Sequence, residues 1–241
     1  MKNLVITTVL MSVMCYAPAM ANKLPSADPN PTAQELEMCG HDTECIHSAY
    51  LNRAPPKILE RLAEKGDAQA AMFLGMAYLV GGHIRYSDGS FGYELPVSVD
   101  SFLRLNKLAV QNGSTEALRR LIAFYVYGLD YFKVFDSRST LQELPWRQDW
   151  SSACKFIEAT NEDLVLKSGA IVLYIGGQCY LTDSNVDRGI SYLTVAAQNY
   201  ESAPSAKLLS DIYRDGRYGV RKSPETSANW LSTYTLLLQK H

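Results

Sequence analysis

Cysteine, histidine and serine are the side chains here whose spacing could do chemistry. Cys39 and Cys45 enclose His41, and His47 follows just beyond. Thiols and imidazoles so grouped either hold a metal or, for the thiols, oxidise to a disulfide. The Cys-x5-Cys interval is wider than common zinc knuckles use, so a local disulfide is the expectation and a metal site the alternative. Ser152-Ala153-Cys154-Lys155 fits the Ser-x-x-Lys of serine penicillin-recognising enzymes, and Lys167-Ser168-Gly169 and Ser227-Ala228-Asn229 loosely fit their other two boxes. The order of the boxes is wrong, and Lys167-Ser168-Gly169 is expected on a helix where that chemistry uses a strand edge. No two of His41, His47, His83 and His241 lie at i, i+4, and there is no Gly-x-Ser-x-Gly elbow, phosphate-binding glycine loop or EF-hand pattern. The chain is expected not to be an enzyme and to need no cofactor or metal.

The elements that carry these residues begin after an export signal. Lys2 supplies a positive start, Leu4 to Cys15 an apolar run too short to span a membrane, and Ala19-Met20-Ala21 the small-x-small pattern of signal peptidase. Cleavage is expected between Ala21 and Asn22, giving a soluble periplasmic or secreted product with no stable membrane insertion. Residues 1–21 are thus signal, 22–31 a polar, Pro-rich flexible linker, 32–56 an N-terminal cap and 57–241 the folded domain. In an oxidising compartment Cys154 and Cys179 become a second pair by elimination. The formal net charge of −2 and the lack of a basic patch disfavour nucleic acid as a partner.

The domain carries an internal repeat. Tyr78, Tyr125, Tyr174 and Tyr213 are each followed three residues later by glycine: Gly81, Gly128, Gly177 and Gly216. Leu74, Leu121, Ala170 and Leu209 lie four residues before the tyrosines. Ala70, Ala117, Leu166 and Ser205 lie four residues earlier again. That period puts a small residue, a leucine and a tyrosine on one helix face, with glycine to end the helix. A second amphipathic helix follows each glycine, opened by Ser98, by Asp183-Ser184 and by Ser223-Pro224-Glu225. Two antiparallel helices recurring at about 40–50 residues predict an all-α fold, a right-handed α-α superhelix (solenoid) of about four helical hairpins with a disulfide-pinned N-terminal cap. In an ideal hairpin of this register Cys154 and Cys179 differ in height by roughly 15 Å, which opposes their pairing.

Leu74-Gly75-x-x-Tyr78-x-x-Gly81, Tyr213-x-x-Gly216-x-x-Gly219-Val220, Ala228-x-Trp230 and Ala196-Ala197 resemble the Sel-one-like repeat, a relative of the tetratricopeptide repeat, over about residues 57–241. The resemblance implies an adaptor or protein-binding scaffold. Exported bacterial members include immunity proteins that neutralise type VI secretion phospholipase effectors, and others are cysteine-rich proteins described as weak penicillin binders. The cysteines here are not placed once per repeat as in that last group. The leading expectation is therefore a periplasmic immunity protein whose partner is another protein, a toxic effector enzyme. A general envelope scaffold or adaptor, and a weak β-lactam-binding protein, are the alternatives.

Two connections depart from the repeat. The first, 82–97, carries Tyr86, Phe91 and Tyr93, and the second, 129–146, carries Tyr131, Phe132, Phe135 and Trp146. Both should emerge on one edge of the solenoid, where aromatics with scattered charges make a candidate partner-binding surface. Each ring also has a plainer use, plugging gaps between helices. Arg119, Arg120, Asp211 and Arg214 lie off the Ala-Leu-Tyr stripe and could line the concave first-helix face, or be a solvated surface.

Overall fold

The computed structural model describes residues 39, 42–85, 91–128 and 148–240. The expected signal with Ala21 and Asn22, the linker, and His41, Tyr86, Tyr131, Phe132, Phe135 and Trp146 lie outside these. Helices dominate: α1 (Thr43–Leu51), α2 (Pro56–Glu64), α3 (Ala68–Val80), α4 (Val99–Gln111), α5 (Thr115–Tyr127), α6 (Trp150–Ala159), α7 (Glu162–Lys167), α8 (Ala170–Thr182), α9 (Val186–Asn199), α10 (Ala203–Asp215) and α11 (Pro224–Gln239). They form an all-α solenoid of hairpins, α3–α4, α5–α6, α8–α9 and α10–α11, behind an N-terminal cap pinned by Cys39–Cys45.

Local chemistry places the helix ends. Asp67, Ser98, Ser114, Asp149, Ser202 and Ser223 each accept a hydrogen bond from the backbone N–H three residues on, satisfying a donor the helix leaves open. At the other end Gly81 and Gly216 take the left-handed conformation that glycine alone adopts without a Cβ penalty.

The first helix of every hairpin, α3, α5, α8 and α10, has 13 residues. Aligned on their starts, their tyrosines are Tyr78, Tyr125, Tyr180 and Tyr213. The third repeat is therefore set on Tyr180, and the expectation that Tyr174 and Gly177 end a helix is corrected. One backbone bond closes each hairpin and fixes this register. The N–H of the second helix's N-cap residue donates to the tyrosine carbonyl: Ser98 to Tyr78, Asp149 to Tyr125, Asn185 to Tyr180 and Ser223 to Tyr213, at 2.8–2.9 Å. Asn185, not Asp183-Ser184, caps α9.

Gly177 lies inside α8, where a Cβ would come within 2.7 Å of Leu193 and 3.2 Å of the Gly189 carbonyl. It permits close approach. The same position holds Gly75 in α3 and Ser210 in α10. Ser210 and Ser227 are buried and donate to each other's backbone carbonyls at 2.9 and 3.0 Å. In α5 the position is Ile122, and α5 and α6 pack less closely than the other pairs.

The core runs through the stack. Phe102, Phe124, Ile157 and Tyr192 are almost wholly buried, with the Phe102 and Phe124 rings 5.0 Å apart. Leu181, Leu193, Leu209, Ile212 and Leu237 fill the last two units, and Leu51, Leu59 and Leu74 join cap to first repeat.

The connection 82–97, expected as a loop, contains two antiparallel strands, β1 (Gly82–Arg85) and β2 (Phe91–Glu94), with His83 opposite Tyr93. His83 is the residue that makes this more than a loop. It is buried, and its Nε2–H donates to the Leu51 carbonyl at 3.1 Å, tying the hairpin to the end of α1. Burial holds the imidazole below its ordinary pKa, partly offset by the carbonyls of Leu51 and Ala54. The fold thus keeps the ring neutral while the unfolded chain takes up a proton below about pH 6.5. This contribution to stability is intact above that pH and is lost as pH falls toward and through the lower folded value. His83→Gln should narrow the difference in melting temperature between pH 7.5 and pH 5. An unchanged difference would show that the cap does not sense this proton.

Candidate functional site

Both disulfides are present, each with Cα atoms 5.5 Å apart. Cys45 sits in the first turn of α1, so the metal alternative for Cys39 and Cys45 gives way to a bond between them. His47 instead meets Asp67, the N-cap of α3, at 2.8 Å. The second bond joins the middle of α6 to Cys179 within α8. A height difference of roughly 15 Å between the two cysteines would need Cys179 past the end of its helix and α6 leading directly into α8. Neither holds: α8 continues to Thr182, and α7 steps between them.

The serine boxes serve local structure. The Ser152 hydroxyl donates to the capping carboxylate of Asp149 at 2.6 Å. Lys167-Ser168-Gly169 ends α7 and forms the break before α8, not a helix interior. Ser168 is buried and donates to the Leu164 carbonyl at 2.6 Å, and Lys167 pairs with Asp163 at 2.8 Å. Ser227 is committed to Ser210. Among the described residues no cluster of three or more His, Cys, Asp or Glu could hold a metal, and no helix is long and apolar enough to cross a membrane.

The first-helix face carries charge in pairs. Arg119 bonds Glu116, and Arg120 Nε donates to Glu116 at 2.8 Å. Lys207 and Arg214 share Asp211 at 2.6 and 2.9 Å, and Arg214 and Arg217 share Asp215. Pairs as exposed as these are screened by water and add little to stability. They present a zwitterionic surface in which each named arginine already has a carboxylate.

The hairpin-closing edge is different. It is where α3, α5, α8 and α10 finish and where the two insertions leave the stack. Of the aromatics singled out in the insertions, Tyr93 is half-buried in β2, and Phe91 lies in the same strand. The described helix ends add rings that spacing did not flag: Tyr127 at the end of α5, Trp150 at the start of α6, and Tyr218 in the α10–α11 connection. They are 39%, 39% and 42% exposed, well above what a core role would leave. The available signal was position: each lies within a few residues of a hairpin-closing tyrosine or its N-cap partner.

At this edge, between the third and fourth units, lies an open recess of about 380 Å³. Val186 and Ile190 of α9 and Val220 form its apolar lining. Tyr213 and Tyr218 add two rings, and Asp187 a carboxylate. Tyr218 has φ 55° and ψ 25°, a left-handed backbone on a bulky non-glycine residue. Such a conformation costs about 1–3 kcal/mol and persists where the surroundings enforce it. Behind it, burial raises the phenol pKa of Tyr174, with Tyr218 adding to the rise.

No family model and no curated protein matches the chain. Among solved structures it is similar to a crystal structure of a Sel1 repeat protein from Oxalobacter formigenes. That similarity is 14% identity over 83% of this chain and 92% of the other, at a TM-score of 0.30. A superposition so loose adds nothing to the architecture, which rests on the capped, 13-residue helices and their closing bonds.

Proposed function

We propose that this chain is an exported protein-binding repeat protein, and that it acts as an immunity protein neutralising a secreted, envelope-targeting effector such as a phospholipase. The observation that carries the binding role is the hairpin-closing edge. Tyr93, Trp150, Tyr218 and the recess beside α9 lie along that edge, each at the closing end of a different hairpin or beside it. Accessible aromatics and a part-apolar recess along one edge suit a binding hot spot. Phe91, Tyr86, Tyr131, Phe132, Phe135 and Trp146 belong to the same proposed surface through the two insertions. Two disulfides favour an oxidising compartment, in keeping with cleavage before Asn22. The immunity role itself comes from the repeat resemblance.

The test is co-purification from periplasmic extract with a tagged chain. The proposal expects one partner at stoichiometric yield, whose lipase activity the purified chain suppresses. Several substoichiometric partners with no activity affected would replace it with a general envelope scaffold. A labelled penicillin that acylates the chain would replace it with the β-lactam-binding alternative.

A further inference from the structure

We propose that the recess between α9 and the α10–α11 connection seats a lysine or arginine side chain of the bound protein. This rests on the protein-binding reading and names the chemistry of its partner. A cationic side chain has two parts, an aliphatic stem and a charged head, and the recess offers a surface for each. Val186, Ile190 and Val220 suit the methylenes. The rings of Tyr213 and Tyr218 suit the cation by their negative faces. Asp187 is exposed at the start of α9 and makes no ion pair among the described residues.

Three neighbouring cations are already committed. Arg188 is held by Glu162 at 3.1 Å and lies over the Tyr180 ring at 4.6 Å. Arg214 and Arg217 are held by Asp215. A purely apolar anchor from the partner would cover Asp187 and leave its carboxylate unpaired, at a desolvation cost. An acidic anchor would meet like charge. Only a cation with an aliphatic stem uses all three parts of the lining. Tyr218 bears the strain of a left-handed backbone on the turn between Gly216 and Gly219, and its ring stands at the recess in return.

The test needs no knowledge of the partner. Methyl-labelled protein is titrated with N-acetyl-lysine methylamide and with its uncharged counterpart, N-acetyl-norleucine methylamide, at low ionic strength. Saturable shifts of the Val186, Ile190 and Val220 methyls are expected for both. The lysine compound should bind about three- to fivefold more tightly, the size of an exposed ion pair with a cation–π contribution. Asp187→Asn should reduce that preference, leaving only the share that the tyrosine rings supply. Tyr218→Gly should raise or preserve the melting temperature, because glycine relieves the backbone, while weakening both compounds. Equal affinity for the two compounds, or no saturable shift, overturns the cation seat. If the lysine preference holds but no partner protein is recovered, the immunity role fails and the seat stands. If a partner is recovered whose affinity ignores Asp187→Asn and Tyr218→Gly, the seat fails and protein binding stands.

Discussion

Gly189→Ala is expected to destabilise the chain by about 2 kcal/mol, although alanine is the better helix former by about 1 kcal/mol. An alanine Cβ at this site would stand 2.9 Å from the Gly177 carbonyl oxygen and 2.7 Å from Leu181 Cγ. Leucine can rotate away, but a backbone carbonyl inside a helix cannot. To admit the methyl, α8 and α9 must separate along the contact that Gly177 and Gly189 share, and Leu193 and Tyr192 lose their seats on α8. In a chain of this size the melting temperature should fall by about 4–8 °C. Combining the change with Leu181→Ala separates the two causes. If the side chain alone were responsible, Gly189→Ala would become neutral or stabilising in that background. The backbone contact requires that it still destabilise. A melting temperature that rises in the single variant would mean the helices are not in this register.

The same contact explains what could and could not be read from residue types. Helix ends were legible because their chemistry is local. Ser98, Ser223 and Pro224 do at their positions what any such residues do at a helix start, and Gly81 and Gly216 what glycine does at a helix end. The third repeat misled because Gly177 serves a different purpose. Tyr174-x-x-Gly177 imitates the end-of-helix pattern, whereas the true pattern there is Gly177-x-x-Tyr180-x-x-Asp183. It matches Gly75-x-x-Tyr78-x-x-Gly81 except at the last residue. With Asp183 in place of glycine, the left-handed conformation passes to Ser184, φ 64°. A glycine needed for close packing and one needed for positive φ are the same letter, and only the neighbouring helix tells them apart.

The candidate site divides along the same line. That an edge interrupted by insertions gathers aromatics follows from repeat spacing, and Tyr93 was reached that way. Tyr218 and Asp187 were not, because their meeting depends on how α9 packs against the turn after α10. In the sequence His83 is one of four scattered histidines. Its role arises from a contact with Leu51, 32 residues earlier in the chain. The arginines of the first-helix face were reachable by sequence, and Glu116 at i−3 and i−4 from Arg119 and Arg120 pairs with them locally.

Replacing Cys154 and Cys179 together by alanine is expected to lower stability by about 3.5 kcal/mol at 25 °C, the loop-closure entropy of a cross-link over a separation of 25 residues. Loss of Cys39 and Cys45, a separation of 6, should cost only about 2 kcal/mol by the same reasoning. The larger figure falls on the weakest joint in the stack. The other hairpins close on Gly75, on Gly177 against Gly189, or on Ser210 against Ser227, whereas α5 presents Ile122 and does not draw α6 in. Without such a contact, α6 is held by its bond to α8, by Ala153 and Ile157 in the core, and by the Asp149 to Tyr125 closing bond. Removing the disulfide should therefore loosen α6 before the rest. Amide exchange in 150–159 should accelerate more than in α8–α11, and urea unfolding should shift to a lower midpoint. Loss of the short N-terminal cross-link should leave exchange in 150–159 unchanged. If the double alanine variant exchanges uniformly faster along the whole chain, α6 is not a separately held element and the disulfide acts on the unfolded state alone.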